Sequence, residues 1–298
     1  MRKYYIIAFC AGLAVFVAVA IGSIDNDSSN SFGRFFSKIF SKNPAGRFKR
    51  SGNIQAAPQT NNGAPQTHTE PLNYKYIILI MDDAGVTPDT DILNFPYPLN
   101  ISVLPHSRYT GLWVNKLENQ SVHETLLHIP MAAYSEPSSG IQPGMNEEQI
   151  ENYLNRCINS VPTFSGANHH QGSLATRDKI LMQKFFSVYK NTQKYYVDSV
   201  TISGSRAYQE AVHQGVPALK RDIFIDNNTS SRYLKKQLLS ALKISEKRGY
   251  AVAIAHVTTR NFLNVLTGMD NVFKKSGIRF IKISDFLKIW QNRSRVIS

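Results

Sequence analysis

Tyr76-Ile77-Ile78-Leu79-Ile80-Met81-Asp82-Asp83 is the stretch on which the reading of this chain turns. Its six apolar residues form a short run that reads as a buried strand. Two adjacent carboxylates at the C-terminal end of such a strand are costly for stability. In α/β sheets and barrels, that end is where ligands and chemistry sit. One carboxylate can hold a metal ion while its neighbour takes a proton from metal-bound water. A solvated Asp-Asp turn leading into Gly85 is the plain alternative, and the pair alone does not choose between them.

Downstream, apolar runs alternate with helical patterns. Asn100 to Leu104, Thr125 to Leu127, Tyr195 to Val197, Tyr250 to Ala255 and Ile278 to Ile283 read as strands. Asn146 before Glu147-Glu148 marks a helix start. Ser203 precedes an amphipathic stretch that stops near Gly215. Thr229-Ser230 precede a helix over Tyr233 to Lys247 that ends at Gly249. Ser284 is expected to cap a last helix, Asp285 to Gln291. This alternation predicts an α/β fold with a mainly parallel sheet, open or closed. Residues 74–298 have the size of one such domain.

Upstream the character changes. Met1-Arg2-Lys3 is basic, and Tyr4 to Ile24 carries no charge over a length that can cross a bilayer. Residues 1–24 therefore read as a signal anchor or a cleaved signal peptide; either way Arg2 and Lys3 stay cytoplasmic and the remainder is exported. Residues 25–73, rich in Ser, Asn, Gly, Pro and Gln, form a flexible basic and polar linker. Within it, Phe32 to Phe40 mixes aromatics with cations, as a membrane-surface segment or an unstructured basic one does. The expected place is the periplasmic or extracytoplasmic side, anchored to the inner membrane through the N-terminal segment. The 298 residues carry a formal charge of +13, but it is spread along the chain and forms no nucleic-acid-binding module. Of the two cysteines, Cys10 lies in the apolar segment and Cys157 stands alone, which excludes a disulfide framework or zinc-cysteine site. A lone thiol in an exported domain is expected to be buried.

Further polar groups fall where the sheet would place its active edge. His128 ends a short strand before Pro130. Gly166 to Ser173 reads as an irregular, glycine-bracketed loop carrying His169 and His170. Asp198 ends the strand begun at Tyr195, and His256 ends the most apolar strand of all. Arg221-Asp222 and Asp226-Asn227 frame the run Ile223 to Ile225. Each has a bland structural explanation by itself. Together, His128, His170, His256, Asp82, Asp83 and Asp198 supply imidazoles and carboxylates enough for a divalent, zinc-like ion with open positions, plus a base and an acid.

On these motifs the chain resembles the divergent polysaccharide deacetylase family, relatives of the NodB-type carbohydrate esterases. The resemblance runs from Tyr76 to Leu287. It rests on the strand with Asp82-Asp83, the block His123 to Met131, the segment Asn168 to Ser173, Asp198-Ser199 with Thr201, the block Arg221 to Asn227, and the His256 strand. It implies a distorted seven-stranded (β/α) barrel with its site at the C-terminal strand ends. It implies Asp82 as base, Asp83 and His128 as metal ligands and His256 as acid. The second histidine of the NodB-type metal motif would fall on Ala132, and the resemblance implies that His170 replaces it. Where relatives show one histidine in that segment this chain has two, which makes His169 a rival ligand. After His256, relatives often continue with proline; Val257-Thr258 follow here.

The implied function is metal-dependent removal of N-acetyl or O-acetyl groups from a cell-envelope polysaccharide, with zinc the expected ion. Asp198 would orient His256 or substrate, and Arg221 would hold a catalytic carboxylate, unless the two form a structural ion pair. The rival class is a catalytically silent module on the same fold that binds envelope glycan or protein.

Overall fold

The computed structural model describes residues 75–296. The expected export segment (1–24) and linker (25–73), with Cys10, lie outside the described residues. Among the described residues no helix is long and apolar enough to cross a membrane.

Among the described residues nine strands, rather than the seven expected, all paired in parallel, make one curled sheet. They are β1 (Lys75–Ala84), β2 (Asn100–Val103), β3 (Glu124–Met131), β4 (Gly166–Gln171), β5 (Tyr195–Asp198), β6 (Ala218–Lys220), β7 (Ile223–Phe224), β8 (Tyr250–His256) and β9 (Ile278–Phe280). The order is β6-β5-β4-β3-β2-β1-β8-β7. β1 is central: it pairs with β8 along Tyr76 to Asp82, with β2 from Ile80 onward and with β9 at its start. The outermost strands β6 and β7 are joined only by Arg221 and Asp222. Arg221 N donates to Asp198 O of β5, and Asp222 N donates to Val252 O of β8. One kinked segment thus leaves one end of the sheet and joins the other, which brings the sheet round on itself as a distorted barrel.

Parity sorts the side chains, because successive residues of a strand face opposite ways. Ile78 and Ile80, Leu126, Val197, Leu219, Val252 and Ile254 form the apolar filling of the barrel with Ile281, Ile283, Phe286 and Leu287. The alternate set (Ile77, Leu79, Met81, Leu127, Ile129, Ala167 and Tyr196) packs with the surrounding helices around Trp113, Phe185, Phe186 and Leu238. Both faces of the central strands are therefore buried, as the apolar run at Tyr76 implied.

Helix starts follow the local chemistry. Asn146 makes a reciprocal capping box with Gln149 at the helix Glu147–Ser160. Ser230 precedes the helix Ser231–Arg248, and Gly249, in the left-handed conformation (φ 86°), ends it. The helix expected after Ser203 begins only at Ala207. The last helix spans Ile283–Val296 rather than Asp285 to Gln291. Ser284 is not its cap. Ile283 N donates to Asn100 Oδ1 and Ser284 N to Glu124 Oε2, so barrel side chains satisfy the free N–H groups of the first turn. Cys157 is free and buried, and burial pushes its thiol up to about 11.

The segment Gly166–Gln171, expected as a loop, is strand β4. Six residues of it pair with Leu126–Met131, and β3 itself runs on past His128 through Pro130. The polar composition suggested irregular structure; parallel ladders on both sides override it. Gly166 sits where the ring of Tyr195 fills the barrel, and a Cβ there would lie 2.1 Å from that ring. Gly166→Ala is expected to lower unfolding stability by about 1–3 kcal/mol, read as a lower urea midpoint with unchanged slope.

Candidate metal centre

Asp82, His128, Asn168 and His256 lie two residues beyond the barrel-filling Ile80, Leu126, Gly166 and Ile254. Parity therefore places them on the inner face, as the polar layer above the apolar filling. His170 follows Asn168 by the same step. Asp83 breaks the rule: its parity points outward. A register irregularity between Met81 and Ala84, with Asp83 in the left-handed region (φ 65°), turns its carboxylate inward. A left-handed non-glycine residue stores strain, of order 1–3 kcal/mol, and such residues cluster at functional sites.

The carboxylate meets two imidazoles there. Asp83 Oδ1 is 2.9 Å from His170 Nδ1 and 3.3 Å from His128 Nε2. One ligand atom from each of the three residues lies within 4.8 Å of the others, a group that can hold a metal ion. His128 Nδ1 stands 2.7 Å from Asn168 Oδ1, an atom that only accepts, so Nδ1 carries the hydrogen. Neutral His128 then faces Asp83 with a lone pair, and the two atoms need a proton or a cation between them. A donor set of two imidazoles and one carboxylate, with the remote His128 nitrogen held by a hydrogen bond, fits a catalytic divalent metal site. The same set suits zinc or ferrous iron, so the donors alone do not fix the identity of the ion.

The electrostatics agree. Burial would raise Asp83, but hydrogen bonds and charge from His128 and His170 hold its carboxyl well below the usual carboxylate range. Burial pulls His128 down, and Asp82 and Asp83 more than offset this, so its pKa is raised. Asp82 is almost fully buried. Desolvation keeps its carboxyl above the ordinary value despite His128, His256 and Asn168. Its Oδ2 lies 3.9 Å from His128 Nε2.

His256 stands beside Asp82 in register across β1 and β8. Its partner is Asp226, whose Oδ2 lies 3.1 Å from His256 Nδ1 and accepts from His256 N at 2.7 Å and Thr259 Oγ1 at 2.5 Å. Burial lowers His256, but the Asp226 contact, with Asp82 and Asp83 behind it, pushes it up to about 9. A polar cleft of about 370 Å³ opens at His256, between the segment holding Thr87, Asp89 and Asp91 and the segment holding Thr258, Arg260 and Asn264.

Three expected supporting residues lie elsewhere. His169 and Asp198 have the other parity and face the helix layer. His169 Nδ1 is 2.9 Å from Tyr196 Oη, its Nε2 has no hydrogen-bond partner, and Asp198 Oδ1 lies 4.0 Å away. Burial holds His169 neutral, with its pKa lowered to about 4. His169 is thus no rival to His170 for the ion. Asp198 does not orient His256. Its Oδ1 accepts from Val200 N, and its Oδ2 accepts from Ser205 Oγ and Tyr208 N. Arg221 holds no catalytic carboxylate and makes no ion pair with Asp198. It donates to the carbonyls of Ser199 and Val200 and stacks on Phe224 at 3.8 Å. Together Asp198 and Arg221 brace Val200, a β-branched residue at φ 46°, a conformation such residues rarely adopt. Asp226 was the carboxylate to find. It ends the run Ile223 to Ile225, the same signal that singled out Asp82.

A family model described as divergent polysaccharide deacetylase matches residues 79–287. An uncharacterized protein of Escherichia coli K12, YibQ, is 31% identical over 185 residues, which span 60% of this chain and 58% of that protein. An uncharacterized protein of Haemophilus influenzae is 28% identical over 201 residues, 66% of this chain and 71% of that one. Among solved structures, the uncharacterized protein ATU2773 of Agrobacterium tumefaciens C58 superposes with a TM-score of 0.64 at 14% identity. The match covers 72% of this chain and 89% of that one, and it speaks to the fold alone.

Proposed function

Because the chain belongs to the divergent polysaccharide deacetylase family, we propose that it is a metal-dependent hydrolase that removes N-acetyl or O-acetyl groups from a cell-envelope polysaccharide. The observation that carries this reading is the convergence of Asp83, His128 and His170 beside Asp82. The composition of residues 1–24 and 25–73 supports an exported, tethered protein facing such a polymer.

Asp83, His128 and His170 would hold the ion, zinc in our reading. Bound there, a divalent cation makes a water nucleophilic near neutral pH and polarises an acyl carbonyl. Asp82 takes the proton of the attacking water. Its buried carboxyl, raised above the ordinary value, binds that proton more readily than an exposed one. His256 gives a proton to the departing sugar amine, and Asp226 keeps the imidazole charged until then. The cleft at His256 accommodates the sugar that carries the amine.

The pH dependence has a definite sign. His256 acts only when protonated, so turnover falls as pH rises through its raised pKa, about 9. A cation beside Asp83 opposes part of that rise, which places the alkaline limb at or below this value. Asp226→Asn removes the main upward pull, so the limb of kcat against pH is expected to move by about one unit or more toward the ordinary imidazole value. An unmoved limb would count against the acid assignment.

The function is tested by incubating the purified protein with N-acetylated and O-acetylated envelope glycans and measuring acetate. Release that stops with a chelator and returns with zinc supports the hydrolase. Glycan affinity without acetate release across the panel supports the silent binding module instead.

A further inference from the structure

We propose that Asn168 is the positioning residue of this centre. A single buried amide fixes which nitrogen of His128 faces Asp83 and which way the Asp82 carboxylate points. Only the Asp82 half of this inference rests on the hydrolase reading.

Asn168 is fully buried and uses all four hydrogen-bonding positions of its amide. Its Nδ2 donates to Asp82 Oδ1 at 2.8 Å and to Ser199 Oγ at 3.2 Å. Its Oδ1 accepts from His128 Nδ1 at 2.7 Å and from Ser102 Oγ. The two ends of the amide are not interchangeable. The Ser199 hydroxyl gives its hydrogen to the His169 carbonyl at 3.3 Å, so it presents lone pairs to Asn168. An ionised Asp82 also presents only lone pairs. A reversed amide would set its oxygen against both, in a buried position where bulk solvent does not screen the repulsion. The NH₂ is therefore locked toward Asp82 and the carbonyl toward His128.

Two consequences follow from that lock. His128 must carry its hydrogen on Nδ1, which leaves Nε2 as the metal-facing nitrogen. Asp82 has Oδ1 tied to the amide, which leaves Oδ2 for a proton. The ligand and the base are thus set by one side chain on the strand that also carries His170. Holding the base, the task expected of Arg221, falls to Asn168.

The test compares wild-type protein with Asn168→Ala and Asn168→Asp, using full-length protein and zinc alone as the probe, in competition with a chromogenic chelator. Asn168→Ala deprives His128 of its acceptor and is expected to weaken zinc binding by about 10–100-fold. Asn168→Asp keeps an oxygen at that position and is expected to bind zinc as the wild type does. Its second carboxyl shares a proton with Asp82, so kcat is expected to fall with KM unchanged. Long-range proton–nitrogen NMR of the zinc-loaded wild type should find the hydrogen on His128 Nδ1. Unweakened zinc binding by Asn168→Ala, or a hydrogen on Nε2, overturns the proposal. Asn168→Asp is close to isosteric, so it serves even where Asn168→Ala does not fold. Loss of zinc affinity or full kcat in that variant also overturns the proposal. If the wild type binds zinc but releases no acetate, the hydrolase reading fails while the zinc measurements still judge Asn168.

Discussion

Asp82→Asn is expected to lower acetate release by about 10²–10⁴-fold, the usual worth of a positioned base, and to leave zinc bound. The substitution changes almost nothing but the ability to take a proton. Asparagine has the shape of aspartate, and its carbonyl still accepts the Asn168 Nδ2 hydrogen at Oδ1. Asn168 therefore keeps its grip on His128 Nδ1. The three ligand atoms of Asp83, His128 and His170 do not include Asp82. Paired assays of zinc content and acetate release separate the two roles. Turnover that survives with bound zinc removes Asp82 from the role of base, and loss of zinc makes it a ligand instead.

His170→Ala is expected to cost more zinc affinity than the roughly 10–100-fold typical of an outer-shell partner, whereas His169→Gln leaves that affinity unchanged. The two imidazoles are neighbours in sequence and lie on opposite faces of β4. His170 Nδ1 reaches Asp83 at 2.9 Å, while His169 Nδ1 reaches the Tyr196 hydroxyl. The contrast can be read without any substrate. Zinc at about 100 times its Kd stabilises the wild type by about 2.7 kcal/mol, a gain that persists in His169→Gln and disappears in His170→Ala. Thermal melts with and without zinc report it. The reverse pattern would exchange the two assignments.

Much of the fold was legible because the central runs of β1 and β8 are apolar on both faces and lead into Asp82 and His256. Alternation with capped helices then implied a parallel sheet, and the strand-end carboxylates and imidazoles located its active edge. Parity was not legible. A strand buried on both faces reads as a continuous apolar run, so Tyr196-Val197-Asp198 gives no sign of which neighbour faces inward. Asp198 was gathered into the site for that reason, and His169 because its segment read as a loop, which has no parity; the structure turns both toward the helices. The polar stretch from Gly166 concealed β4, because a barrel lined with hydrogen-bonding groups has no hydrophobic period to display. The bulge that turns Asp83 inward is a local backbone event that leaves no periodic signal. Asp226 could have been found, since it ends an apolar run as Asp82 does. Asn168 could not, because its role exists only through Ser102, His128, Ser199 and Asp82, four residues from four other segments.

The direct test of the metal centre is anomalous diffraction at the zinc edge from crystals of the zinc-loaded protein. The expected result is one ion bonded to an Asp83 oxygen, His128 Nε2 and His170 Nδ1 at about 2.0–2.2 Å. An ion bound at any other set of residues, or no ion at these three under saturating zinc, would contradict it.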